Sequence, residues 1–297
     1  MSGQLISRRD FVSAGAGSLA IMGLPPLHAA GGQAIGLPGF PHHKPTARRV
    51  IYLFQSGGPS HIDLFDHKPA LEKRHGSELP DSVRGDQRVT GMTAGQKNFL
   101  VNKTISPIKP RGESGVTISD LLPYTCGIAD NITLIKSVHT EAINHDPGIT
   151  FINTGSQIPG LPSLGAWCNY GLGSNNPDMP GYIVMLSQGN GKNPGQPIFS
   201  RLWGSGFIPS SYQGVQLRGG GAPILYLDNP KGIDRTSRRK MLDDIAKLNA
   251  RRLAQSGDPE IATRNFQYDM AYRMQTSAPE ITDLTDEPEG TFKLYGD

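Results

Sequence analysis

Val50-Ile51-Tyr52-Leu53-Phe54 is a run of five apolar residues with no polar position inside it, and Gly57-Gly58 follows closely. A strand with one face in water alternates apolar and polar residues. A run without alternation suits a strand covered on both faces, which is the usual condition of a parallel sheet. Parallel strands need long crossovers, usually helical, so this one run pushes the whole chain towards an α/β layered fold. The remaining segments fit that reading. "ITLIKSV" (132–138) alternates and reads as a second strand, "YIVML" (182–186) as a third and "PILYL" (223–227) as a short one. "NFLVNKT" (98–104) and "ISPIKPRGESGV" (105–116) are expected to add edge strands.

Helical segments separate these runs. "KPALEKRHG" is a short helix ended by Gly76, and Asp120 is a reasonable N-cap for a turn beginning near Leu121. A helix begins near "GITFINTG" and breaks at Gly155, and another spans Ser163 to Tyr170. The last part is helical: "DRTSRRKMLDDIAKLNARRLAQSG" sets Met241, Leu242, Ile245 and Leu248 on one face, and "PEIATRNFQYDMAYRMQTS" continues with apolar residues at helical spacing. The charged face of the first of these reads as solvated surface.

The chain has 297 residues, with 37 Gly, 24 Pro and 19% charged residues, which describes a loop-rich globular protein rather than a coiled coil or a disordered tail. Its formal charge of +3 comes without a long basic run or an aromatic-interleaved basic patch, so no nucleic-acid partner is expected. The first thirty residues have the layout of a twin-arginine export signal. Arg8-Arg9 is followed by Phe11-Val12, a modest apolar stretch to Leu24, and Ala29-Ala30. That stretch falls far short of the ~20 residues that span a bilayer. Cleavage after Ala30 would leave a net charge of +2, from 27 basic and 25 acidic residues. The expected organisation is a signal peptide at 1–30, a Gly- and Pro-rich linker at 31–47, and one domain at 48–297. The twin-arginine translocase is then a partner during export, the destination is the periplasm or another exported location, and the mature chain has no transmembrane anchor. Cys126 and Cys168, the only cysteines, could pair in an oxidising compartment or stay free.

Ligands of α/β sheets bind beyond the carboxyl ends of the strands, so the loops after Phe54 and after Val138 are where chemistry is expected. The first, "SGGPSHIDLFDHKP", offers Ser60, His61, Asp63 and Asp66, with glycines that let backbone approach an anion. These residues suit part of a metal or phosphate site. Equally, Ser60 or Asp63 could cap a short turn while His61 packs on the sheet. The second, "HTEAINHDPG", offers His139, Glu141, His145 and Asp146, oxygen and nitrogen donors suited to zinc, manganese or calcium. Asp146 could also be the N-cap of the following helix, with Pro147 at its first position. No G-x-S-x-G elbow, P-loop or dinucleotide fingerprint is present, which weighs against a serine esterase, a nucleotide triphosphatase and a nicotinamide enzyme.

Three segments, "VIYLFQSGGPSHIDLFDHKPALEKRHG", "GIADNITLIKSVHTEAINHDPGITFINTGSQIPGLPSLGAWCNYGLGS" and "YDMAYRMQTSAPEITDL", occur in an order that resembles the exported bacterial proteins of the domain-of-unknown-function family numbered 1501. The resemblance covers residues 47 to 297. It implies membership of the alkaline phosphatase-like superfamily, beside sulfatases and phosphodiesterases. The implied fold is a three-layer α/β/α sandwich with a mostly parallel sheet, and the implied activity is metal-dependent hydrolysis of small phosphate or sulfate esters. On this reading His145, Asp146 and Ser60 are the catalytic candidates, and His61, Asp63, Asp66 and Glu141 are ligands for a divalent zinc, calcium or manganese ion. His145-Asp146-Pro147-Gly148-Ile149 running into Thr154-Gly155 is similar to the sulfatase pattern Cys-x-Pro-Ser-Arg running into Thr-Gly. His145 therefore stands where the nucleophile would be, and a histidine cannot become formylglycine. Nearby hydroxyls are Thr140 and Thr150. Family chains are expected to continue past Asp297 with further Asp and His segments, so the sandwich is expected to be incomplete at its C-terminal side. The alternatives to a hydrolase are a non-catalytic periplasmic binding or assembly protein that keeps the fold, and a truncated inactive fragment.

Overall fold

The computed structural model describes residues 36–187, 198–218, 222–225 and 227–295. The segment expected to be an export signal, residues 1–30, lies outside the described residues. The chain divides into two compact units, one formed by Arg49–Ile158 with Gly191–Phe199, the other by Met1–Arg48, Pro159–Asn190 and Ser200–Asp297. The architecture is mixed α/β, with helices and two small sheets among the described residues. No helix among them is long and apolar enough to cross a membrane.

In the unit containing residues 49–158, three short helices come first: α1 (His61–Leu64), α2 (Pro69–Arg74) and α3 (Asp81–Arg84). Pro69 opens α2, where its missing N–H costs nothing. Residues 76–79 then pair with 99–101 through Gly76 N to Val101 O (2.9 Å), Val101 N to Ser77 O (2.9 Å) and Leu79 N to Phe99 O (2.7 Å), so the expected edge segment 98–104 makes a short ladder. A hairpin follows. β1 (Ile108–Arg111) pairs antiparallel with β2 (Val116–Ser119), in the register Ile108 opposite Ser119 and Arg111 opposite Val116. Its turn is tied down by Asp130, whose carboxylate accepts from the backbone N–H groups of Glu113 (3.1 Å) and Ser114 (2.8 Å). Ile118 has 0% exposure, and Val101, Ile108, Ala129 and Ile149 are the other buried apolar residues of this unit. The predicted N-cap at Asp120 is displaced: the next helix, α4 (Pro123–Cys126), starts after Leu122. Asp120 instead pairs with Lys109 and Arg111 of β1.

The two runs expected to be buried parallel strands differ most from expectation. Residues 50–54 and 132–138 join no ladder, and Val50 (79%), Ile51 (84%), Leu53 (85%), Ile135 (68%) and Val138 (74%) are exposed. The physical reason is the lack of a neighbour. Among the described residues, no backbone–backbone hydrogen bond involves residues 49–59 or 132–143, so neither run has a strand beside it. Helix α5 (His145–Thr154) follows the second run. Gly155 closes it in the left-handed conformation (φ 78°), its N–H bonding Phe151 O.

In the other unit, α6 (Leu164–Leu172) begins at Ser163, whose hydroxyl accepts from Ala166 N. Its inner face meets a 3₁₀ turn (Ser210–Tyr212), and Ala166, Tyr170, Ile208 and Tyr212 form a core with Leu37 against it. The Tyr170 and Tyr212 rings pack edge to face at 5.1 Å. β3 (Ile183–Met185) pairs in parallel with β4 (Val215–Leu217). The predicted strand at 223–227 is not one. Residues 222–225 form bends and a turn, with Pro223 O accepting from Arg218 N–H at 2.9 Å, and no described residue of the segment joins a ladder.

Two long helices end the unit, α7 (Arg235–Ser256) and α8 (Glu260–Thr282), with a short α9 (Glu289–Tyr295) after them. Asp234 caps α7 by accepting from Ser237 N at 2.6 Å, and Gly257 (φ 68°) stops it. The α7–α8 contact runs through Arg239 with Asp269 (2.8 Å), Leu242, and Asn249 with Asn265 (2.7 Å). Of the four residues expected on the buried face, only Leu242 is buried (4%). Met241, Ile245 and Leu248 stay exposed because α8 lies along the 239–242–249 side of the helix. Met274 and Ala278 of α8 pack with Met179, Val215, Ile224, Leu227 and Met270 in a second core.

Candidate functional site

The loop after residue 54 and the loop after residue 138 belong to the same unit, and they meet. Gly58 has φ +64°, a conformation L side chains rarely adopt, and a Cβ built there would lie 3.7 Å from His145 Nδ1. The turn calls for glycine through its backbone, with φ +91° at Gly57 and +64° at Gly58, and it passes the imidazole at ordinary contact distance. His145 is the first residue of α5, behind Asn144 as N-cap, so Asp146 and Pro147 fall two positions later in the helix than expected and Asp146 is not the cap. The Asn144 side chain makes no capping hydrogen bond. The first-turn N–H groups of an α-helix have no partner within the helix and carry the positive end of its dipole.

The interior face of α5 explains which hydroxyls can react. Ile149, Thr150, Asn153 and Thr154 are buried, and each polar one is satisfied within the helix. Thr150 Oγ1 donates to Asp146 O (2.8 Å), Asn153 Nδ2 to Ile149 O (2.7 Å) and Thr154 Oγ1 to Thr150 O (2.8 Å). Thr150, at 1% exposure, is out of reach of a substrate. Thr140 accepts from Ala142 N at 3.1 Å, which shapes the approach to the helix.

The acids of the first loop are already engaged. Asp63 is held below the usual carboxylate range, first by a hydrogen bond from Ser60 and then by the Ile105 N–H at 3.0 Å. Asp66 is likewise lowered, first by the hydrogen bond from Lys68 Nζ (2.9 Å), with Coulombic attraction from Lys68, Lys136 and His61. Lys136 Nζ also donates to Thr117 Oγ1 (3.0 Å), which itself donates to Phe65 O (2.7 Å). Of the sequence candidates, the structure thus joins Ser60 to Asp63, His61 to Asp66, and Gly58 to His145. Glu141 is exposed on the second loop, and Asp146 is exposed in the first turn of α5. Among the described residues, no three His, Cys, Asp or Glu side chains converge as a metal group. With Asp63 turned to a backbone N–H and Asp66 to a lysine, the donors in this arrangement do not form a set that fits a divalent cation. Cys126 and Cys168 are free thiols.

Lys68, Lys136 and Thr117 were missed by sequence reasoning. Lys136 had one available signal: it is the only charged residue in the 132–138 run. A charge in an otherwise apolar strand-like segment asks for a partner. Lys68 and Thr117 carried no such mark.

No curated protein and no solved structure matches this chain. One family model does, that described as "Protein of unknown function (DUF1501)", over residues 47–297. Spanning all but the first 46 residues, that match shows that the chain belongs to the DUF1501 family.

Proposed function

We propose that this is an exported hydrolase-like protein that takes a small phosphate or sulfate ester at the loops carrying Gly58 and His145. The observation that carries the reading is their juxtaposition: a nitrogen nucleophile at a helix N-terminus, beside a turn that only glycine readily adopts. In this reading a His145 imidazole nitrogen bonds the phosphorus or sulfur as the ester P–O or S–O bond breaks, the alcohol leaves with a proton from solvent, and water then hydrolyses the adduct. Alternatively the imidazole takes a proton from a water that attacks directly. The first-turn N–H groups of α5 receive the anionic oxygens. Ser60 and Asp63 hold the turn in place. The resemblance implies a divalent metal as well, but Asp63 and Asp66 do not fit one here and no step is routed through it.

We also infer the finer architecture, an alkaline phosphatase-like three-layer sandwich with a mostly parallel sheet. Support comes from the parallel pairing of β3 with β4 and the meeting of the two candidate loops. An experimental structure in which β3 and β4 gain further parallel strands would support it, and one in which they stand alone would refute it. Export through the twin-arginine route is inferred from Arg8-Arg9. Arg8→Lys with Arg9→Lys should abolish appearance in the periplasm, and unimpaired export of that variant would count against the assignment.

The decisive assay is turnover of an aryl phosphate and an aryl sulfate by the purified chain, His145→Ala and His145→Gln. Turnover lost in both variants with unchanged circular dichroism supports the hydrolase. Equal turnover in all three removes His145 from the chemistry. A second reading, non-catalytic binding, is favoured by one observation: both loop acids are committed to internal hydrogen bonds and are poorly placed as bases. Absence of turnover together with calorimetric binding of inorganic phosphate that His145→Ala weakens would select it.

A further inference from the structure

Two surfaces of the second unit carry opposite charge, and each exposes apolar side chains that nothing covers. On α7, Met241 (43%), Ile245 (36%) and Leu248 (58%) stand at i, i+4 and i+7, one exposed stripe flanking the contact with α8. Residues 235–252 around that stripe contain seven Arg or Lys and two Asp, a net charge of +5. Arg239 is committed to Asp243 and Asp269, and Lys247 to Asp244. Lys240, Arg251 and Arg252 make no ion pair among the described residues. The chain that leaves α8 is the complement. Residues 279–295 contain five Asp or Glu and one Lys, a net charge of −4. They expose Ile281 (53%), Leu284 (58%), Phe292 (37%), Leu294 (86%) and Tyr295 (88%).

We propose that the protein forms a two-fold dimer in which residues 281–295 of each copy lie along the α7 stripe of the other. The charge pattern selects this occupant over the simpler α7-on-α7 pairing. An antiparallel α7 pair that matches Met241 with Leu248 brings Arg251 and Arg252 against Arg238 and Ser237 of the second copy, placing like charges together at both ends of the seam. Exchange of the acidic segments pairs opposite charges instead. Each copy gives one segment and receives one, so the contact is self-complementary and closes at two subunits. The eight exposed apolar side chains amount to roughly 800–900 Å² per copy, on the order of the ~800 Å² per partner that a stable interface buries. The apolar residues supply the buried area, and the charges set register and salt dependence.

The test is light scattering and sedimentation of the purified chain at low and high salt, with two exposed-surface variants. Arg251→Glu/Arg252→Glu reverses the receiving stripe, and Asp286→Lys/Glu287→Lys reverses the donated segment. The expected result is a dimer of the wild type that weakens with salt, and a dissociation constant raised about tenfold or more by each variant alone. Mixing the two variants should restore the dimer, because each reversed segment then meets a reversed stripe. A wild type that stays monomeric across the concentration range overturns the proposal. So does a dimer unmoved by both reversals, or one not restored on mixing. Unchanged circular dichroism of both variants separates loss of the interface from loss of the fold.

Discussion

Ile118 is the side chain whose removal should cost the hairpin unit most. It has 0% exposure in β2, the least of the buried apolar residues of its unit, Val101 (7%), Ile108 (8%), Ala129 (2%) and Ile149 (6%). Ile118→Ala deletes three carbons, worth about 2.4 kcal/mol at ~0.8 kcal/mol for each buried methylene. A cavity that collapses only in part adds about 1 kcal/mol at ~24 cal/mol per Å³. The expected cost is therefore about 3–4 kcal/mol, inside the 2–5 kcal/mol typical of such truncations. Tryptophan fluorescence is the wrong probe, since Trp167 and Trp203 both belong to the other unit. Native-state amide exchange of the β1–β2 hairpin is the right one. At 1.4 kcal/mol per factor of ten, protection should fall by roughly two to three orders of magnitude. Met92→Ala, at an 89% exposed position in the same unit, should leave it unchanged to within about 0.5 kcal/mol. A fall of less than tenfold for Ile118→Ala, or equal effects of the two changes, would refute the burial of Ile118.

Other consequences are equally direct. Ser163→Ala removes the cap on α6 and should cost about 1 kcal/mol, read by chemical denaturation through Trp167, which lies inside that helix. Asp63 has a folded pKa below its unfolded value, so its contribution is present above the ordinary carboxylate range and is lost as pH falls through the folded pKa. Asp63→Asn should flatten the acid side of the stability–pH profile, and an unchanged acid limb would contradict the Ser60 and Ile105 contacts. Gly206→Ala would drive a Cβ into the backbone of Leu161 and Pro162 at a left-handed φ of 57°. Lowered thermal stability is expected, and a neutral effect would show that the loop can move aside.

The parts of the fold legible in the sequence are those whose cause is local. Gly155 and Gly257 mark the ends of α5 and α7, and Ser163 the start of α6, because a left-handed stop and a side-chain cap need only a few neighbouring residues. The 50–54 run shows the opposite limit. Its composition states what it would prefer to touch, but whether anything lies beside it is decided by residues far away in the chain. The Met241–Leu242–Ile245–Leu248 face was misread for a related reason. Periodicity finds an apolar stripe, while the direction from which α8 arrives picks Leu242 and leaves the rest in water. At the candidate site, the sequence placed histidines and acids on two loops, and the loops do meet. It gave no warning that Lys68 would take Asp66, since a charge pair two residues apart becomes one only in the turn the chain adopts.

The buried hydrogen bonds of helix α5 are local. Thr150, Asn153 and Thr154 each donate to a carbonyl four residues back, and Thr154 Oγ1 otherwise reaches only just past the helix, where it accepts from Ser156 N (3.4 Å) and lies 3.2 Å from Ser156 O. Such a helix resembles a shaft without a key. A turn about its own axis breaks none of the three bonds within it. Because His145 is the first residue on that shaft, a small axial rotation would carry the imidazole towards or away from Gly58 as one rigid piece, with no unwinding of the helix.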